Sequence, residues 1–200
     1  FAVDADSVLT VTDSGSNSVT AANVENLIGG FGTNTIDFSA YTSAVYVDLS
    51  DDHATLFSTI TGFHHIVGTA YDDRLFGNDE VNIISGLAGD DTVGGFAGVD
   101  TLHGGAGDGD RLVVWQDADI ALADDQIDVG GVVETISGFE TATLTGGASP
   151  NTLDASGFTL GGVILDGGAS TYFAAIDAGT LGSTDDRIID LLEHERLKEL

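Results

Sequence analysis

No cysteine occurs in the 200 residues, so disulfides brace nothing and thiol redox chemistry is excluded. Methionine is absent too, and the sequence reads as a mature product or a fragment. Basic residues are nearly missing. Lys and Arg number 5 against 33 Asp and Glu, a formal charge of −28. Nucleic acid is therefore not an expected partner, because its phosphates would meet a strongly negative surface. No apolar run approaches the roughly 18 residues of a membrane helix, so membrane insertion is not expected. No N-terminal secretion signal is visible.

What is present is just as selective. Hydrophobic residues make up 42% of the chain, which argues against disorder. Asp outnumbers Glu by 26 to 7, and there are 28 Gly. The shorter acid keeps its carboxylate near the backbone and suits tight turns. Gly enters left-handed turns at little steric cost. Like charge at this density costs stability through self-repulsion. Many tight turns that face cations would reconcile these facts.

Residues 68–113 divide into nines: GTAYDDRLF from Gly68, GNDEVNIIS from Gly77, GLAGDDTVG from Gly86 and GFAGVDTLH from Gly95. A fifth unit, GGAGDGDRLV from Gly104, carries one extra residue. Position one is always Gly. Position six is Asp73, Asn82, Asp91 and Asp100, then Asp110 after the insertion. Position eight is Leu75, Ile83 or Ile84, Val93, Leu102 and Leu112. The first six residues read as a turn, and the last three as a short strand with its apolar residue inward. One unit buries almost nothing, so units must stack to share a core. Nine residues are too few for a helix-based repeat. A stacked parallel coil of short strands fits.

The flanks carry a longer self-similarity. Val24–Gly30 leads into Phe31–Asp37, and Phe139–Gly147 leads into Ala148–Asp154. Apolar strands follow at Val45–Val47 and Val163–Leu165. These flanks read as wider coils of the same stack. Arg111–Trp115 reads as a strand, whereas the acidic stretch Asp117–Asp128 has no secure place. Ser183–Asp186 resembles a helix N-cap, and the apolar residues beyond it recur at helical spacing. A capping helix is expected over 183–200.

At residues 68–113 the sequence resembles the RTX (repeats-in-toxin, haemolysin-type) family, whose nonapeptide G-G-x-G-x-D-x-U-x marks a calcium-binding parallel β-helix. The nearest matches are GLAGDD at Gly86–Asp91, GFAGVD at Gly95–Asp100 and GGAGDGD at Gly104–Asp110. The resemblance implies a parallel β-roll in which two nonapeptides complete one coil and turns eighteen residues apart hold calcium. On that basis Asp73 faces Asp91, Asp91 faces the Asp108–Asp110 turn, and Asn82 faces Asp100. Calcium takes 6–8 oxygens. Carbonyls near Gly86, Gly89, Gly95, Gly98 and Gly107 would complete the shell. Asp72, Asp90 and Asp108 are either further ligands or solvated turn carboxylates. Asn82 lacks charge and Glu80 replaces the fourth-position Gly, so the Asn82–Asp100 site is expected to be weaker or empty.

Other chemistry finds less support. His53, His64, His65 and His103 match no zinc pattern, and no HExxH helix or G-x-S-x-G elbow exists. Arg74 and Arg111 are expected to offset local negative charge. Trp115 and the Phe residues are expected in the core. The fold expected is all-β: a right-handed parallel β-roll or β-helix solenoid. It would run continuously over 1–182, with its calcium-binding core at 68–113 and a short C-terminal helix. The function expected is a non-enzymatic, calcium-dependent structural module of a secreted bacterial surface protein, of adhesin, surface-layer or matrix type, exported by type I secretion. Partners would be calcium ions, other copies, or neighbouring modules of a surface assembly. The alternative is a non-catalytic companion domain of a secreted protease, lipase or epimerase.

Overall fold

The computed structural model describes residues 24–168 in full. Beyond them it describes the strands Ala2–Asp4, Leu9–Thr12, Ser18–Ala21, Tyr172–Ala175 and Arg187–Ile189. The described residues are all-β and their pairings are mostly parallel, consistent with a β-roll. No helix among them is long and apolar enough to cross a membrane.

The nine-residue period explains the layout. The chain alternates between two sheets, and within the repeats each strand pairs with the one eighteen or nineteen residues away. In the first sheet Thr35–Ala40, His65–Val67, Ile83–Ala88, Thr101–Ala106 and Val132–Ser137 lie side by side, all parallel. In the second, Tyr46–Asp48, Arg74–Phe76, Thr92–Gly94, Arg111–Trp115, Thr141–Thr145 and Val163–Asp166 do the same. A three-residue strand turns its middle side chain to one face and its neighbours to the other. Leu75, Ile84, Val93, Leu102 and Leu112 are accordingly all 0% exposed, and they join one core shared by both sheets. Full burial of such a side chain is worth about 1.5–3 kcal/mol. Between the two candidates for position eight in the second unit the register chooses Ile84, because Ile83 is 45% exposed.

The acidic stretch that the repeats leave unplaced is a hairpin. Ile120–Ala123 runs antiparallel to Gln126–Val129, which runs antiparallel to Val132–Ser137. Gly130 and Gly131 join the last two strands, with φ of +62° and +90°. A two-residue hairpin turn of this kind needs left-handed backbone at both positions, which two glycines supply. The flanks are less alike than their sequences: Asn26–Ile28 pairs with Thr59–Thr61 in a sheet of its own, while Thr141–Thr145 lies within the second sheet.

The helix expected over 183–200 is corrected where the chain is described. Arg187–Ile189 is a strand parallel to Val163–Asp166, with Ile188 beside Leu165. Two consecutive β-branched isoleucines favour a pleated sheet edge over a helix. The other residues of that span lie outside the described ones.

Stacking is tight at position one of the repeat. A methyl group on Gly86 would overlap the Asp91 carboxylate and the Gly104 carbonyl of the next layer, whereas one on Gly30 would meet nothing within 4 Å. Gly86→Ala is therefore expected to lower the unfolding free energy by roughly 2–3 kcal/mol. Gly30→Ala should stay within about 0.5 kcal/mol of the parent. Denaturant unfolding in calcium measures both.

Candidate metal centre

The parallel register lines up the position-six residues in two files, one at each edge of the stack. Arg74 pairs with Thr92, Thr92 with Arg111, and Arg111 with Thr141. The residues just before them therefore follow one another: Asp73, Asp91, Asp110, Glu140. On the other edge the pairings set Asn34, His64, Asn82, Asp100 and Glu134 in file. Neighbours in a file sit on strands about 4.8 Å apart.

Each carboxylate in the first file accepts the backbone N–H of the residue before it in the file. Val45 donates to Asp73 Oδ1 (2.8 Å), Asp73 to Asp91 Oδ1 (2.7 Å), Asp91 to Asp110 Oδ1 (2.7 Å), and Asp110 to Glu140 Oε2 (2.9 Å). In the second file Asn82 donates to Asp100 Oδ1 (2.8 Å). The facing pairs expected from the repeat are thus brought together. Asp110, not Asp108, is the position-six residue of the fifth unit.

The second oxygen separates the turns into two kinds. Asp73 Oδ2 accepts the Thr69 N–H (2.5 Å), and the Thr69 hydroxyl donates to Oδ1 (3.0 Å). Asn82 accepts the Asn78 N–H and uses its own amide to donate to the carbonyl of His64 (2.8 Å), one layer below. These two turns are closed. In Asp91, Asp100 and Asp110, Oδ2 is buried with no hydrogen-bond partner. The difference arises at position two. Leu87, Phe96 and Gly105 are left-handed there, with φ of +79°, +70° and +136°, while Thr69 and Asn78 are not among the left-handed residues. A normal backbone turns the position-two N–H onto the acid. A left-handed one leaves the carboxylate oxygen open.

Burial of partnerless carboxylates is costly in their charged form. Burial pushes Asp91 up to about 7, with the charges of Asp73 and Asp110 adding to it, and Asp100 up to about 6. Asp73 and Asp110 are raised for the same first reason. Glu134, buried beside Asp100, rises to about 8 through burial and then that neighbour's charge. Among the described residues the ion pair is His64–Glu80, so no Arg side chain offsets these acids; Arg74 and Arg111 form no salt bridge there. No three acidic or histidine side chains converge as a metal cluster among them. The donors are instead single carboxylates set among turn carbonyls: at Gly86, Asp91 Oδ2 lies with the Gly104 carbonyl, and at Gly104, Asp110 lies with the Gly138 carbonyl. Such oxygen-only surroundings with orphaned negative charge fit a hard divalent cation.

Residues 65–93 and 76–110 match the family model of the RTX calcium-binding nonapeptide repeat, in four copies. The resemblance to RTX repeats read from the sequence is thus matched by the family model over residues 65–110. No curated protein matches the chain. The RTX nonapeptide is a calcium-binding structural repeat, and the three open turns are the three that keep its GGxGxD spacing most closely. The glycine missing at position four is also explained. Gly89 packs on the Tyr71 carbonyl and Gly98 on that of Glu80. Tyr71 and Glu80 occupy position four in the first RTX turn on each edge.

Other expected residues fall into place around the RTX turns. Asp72, Asp90 and Asp108 form an exposed outer file, where Asp90 N–H donates to Asp72 (2.9 Å) and Asp108 N–H to Asp90 (3.3 Å). His64 Nδ1 accepts the Asn34 N–H, and His65 Nδ1 accepts the Ile83 N–H, so both brace the backbone. Trp115 is corrected: it is 47% exposed and lies against Phe76 and Phe96 on the outer face of the second sheet. Position 115 alternates outward from inward-facing Val114. Asp117 and Asp124 take N–H and hydroxyl donors from Ser149 and Thr159 rather than only facing water. Sequence reasoning missed Glu134 and Glu140 as file members. The hairpin insertion breaks the eighteen-residue spacing, and no local motif marks either residue.

A bound calcium ion supplies the positive charge that the open turns lack. The residues themselves hold the backbone ladder through Oδ1 and present Oδ2 to the turn. Carboxyls raised by folding keep protons that the unfolded chain has already released. Their contribution to stability is complete below the ordinary value of 3.8 and is lost as pH climbs to about 7 at Asp91 and about 8 at Glu134. The calcium-free chain should therefore gain far-UV β signal as pH is lowered from about 8 to about 4, and saturating calcium should remove that dependence. A pH series of circular dichroism spectra with and without calcium checks it.

Proposed function

We propose that this chain is a calcium-dependent structural module of a large secreted bacterial surface protein of adhesin, surface-layer or matrix type, without catalytic activity of its own. In this reading the two sheets wind as a right-handed parallel β-solenoid. The single observation that carries it is the set of buried, partnerless Oδ2 atoms of Asp91, Asp100 and Asp110 in a chain of charge −28. Where calcium is scarce, these turns repel and the chain stays open enough to be threaded through a secretion channel. Outside the cell, ion binding becomes folding free energy. The buried file carboxylates brace neighbouring turns, an arrangement suited to building a rod rather than to turning over a substrate.

Two measurements test this reading. Calcium titrated into the chelated chain should produce a cooperative rise in far-UV β signal, and a fold equally complete in chelator would end the proposal. Asp91→Asn removes the buried charge while Leu87 keeps its left-handed backbone, so the turn stays open but no longer repels its neighbours. That variant is expected to bind fewer calcium ions by calorimetry and to keep more β structure in chelator than the parent.

A further inference from the structure

The RTX repeats end at the fifth unit, yet the second file continues one layer past them, to Glu134. Thr101 pairs with Thr135, and the Thr135 N–H donates to the Asp100 carbonyl (3.0 Å). Asp100 and Glu134 are thus neighbours on adjacent strands, about 4.8 Å apart along the backbone. Both are turned inward: Asp100 is 1% and Glu134 4% exposed. Asp100 Oδ2 is buried with no partner, whereas the Glu134 carboxyl, although it takes no hydrogen bond among the described residues, is not one of the buried partnerless groups. Glu140, at the end of the first file, differs, because it takes the Asp110 N–H.

A small cavity of about 10 Å³ is lined by Glu134 of this pair together with Gly95, Phe96, Val114 and Trp115 among others. Gly95 connects the cavity to Asp100, since a methyl group on it would overlap Asp100 Oδ2 and it also lines the cavity. That volume accommodates about one water-sized species. On its other side Asp100 already takes the Asn82 backbone N–H through Oδ1 (2.8 Å).

We propose that Asp100 and Glu134 together hold a divalent cation at the junction between the last repeat and the hairpin insertion. This site pairs a repeat aspartate with a glutamate from outside the repeats and replaces the Asn82–Asp100 pairing expected from spacing. It rests on the calcium-binding reading above. It also gives the inserted hairpin a purpose, because Val132–Ser137 carries Glu134 into file and the ion would fasten that strand to the repeat stack.

The chain's one tryptophan lines the same cavity, so terbium serves as the probe. Terbium bound to the full chain should emit when Trp115 is excited at wavelengths where tyrosine does not absorb. Glu134→Gln should lose the larger share of that emission, and calorimetry should show one calcium ion fewer than in the parent. Asp91→Asn should keep the emission. An unchanged calcium count with unchanged emission in Glu134→Gln would overturn the proposal. So would a parent chain whose bound terbium, seen by direct excitation, gives no emission through Trp115. If Glu134→Gln does not fold, the parent's emission alone decides. A parent that binds no calcium removes the calcium reading itself, whereas a parent that binds calcium beside an indistinguishable Glu134→Gln removes only this site.

Discussion

A carboxylate can be buried only if something answers its charge, and this molecule stacks carboxylates about 4.8 Å apart. One oxygen of each is answered the same way throughout, by a backbone N–H from the neighbouring layer. That ladder fixes the register, because a slip of one residue would turn every acid outward and every position-eight side chain with it. The second oxygen is where the layers diverge. The backbone N–H at position two or an external cation can satisfy it, and the backbone angle there selects between them.

This division gives the glycines and their substitutes distinct meanings. Leu87 and Phe96 occupy left-handed backbone that costs a side-chain-bearing residue about 1–2 kcal/mol. Local strain is accepted there so that a carboxylate oxygen stays open. Thr69 and Asn78 avoid the strain, and their N–H groups close the turn. Strain and an open oxygen therefore occur together in the same units, as expected of a ligand-facing turn.

Much of the architecture was legible in the chain because the nine-residue period is short and its chemistry is local. Gly at one, an acid at six and an apolar residue at eight suffice to place the strands, the core row and the facing pairs Asp73–Asp91 and Asn82–Asp100. What the period could not reveal was how each second oxygen is met, because that depends on φ at position two, which decides whether the backbone N–H there reaches the acid. Glu134 escaped notice because a hairpin of antiparallel strands separates it from Asp100. The residues facing Trp115 were also hidden, since a run such as Arg111–Trp115 does not disclose which side of its sheet is covered. The C-terminal apolar residues show the limit of periodicity alone: Ile188 and Ile189 suit a helix by spacing and a sheet by branching, and they lie in a sheet.

Within the repeats the closed turns precede the open ones along the chain, and beyond them Asn151 closes its own turn by taking the Gly147 N–H. Layers around Asn34, Asp73 and Asn82 complete their own hydrogen bonds, and the layers of Asp91, Asp100 and Asp110 follow. The stack therefore has a polarity. One part can stand as a ready template without any ion, so each later layer zips onto an existing edge and closes only a short loop. Assembly of the acidic half becomes a problem of extension rather than nucleation.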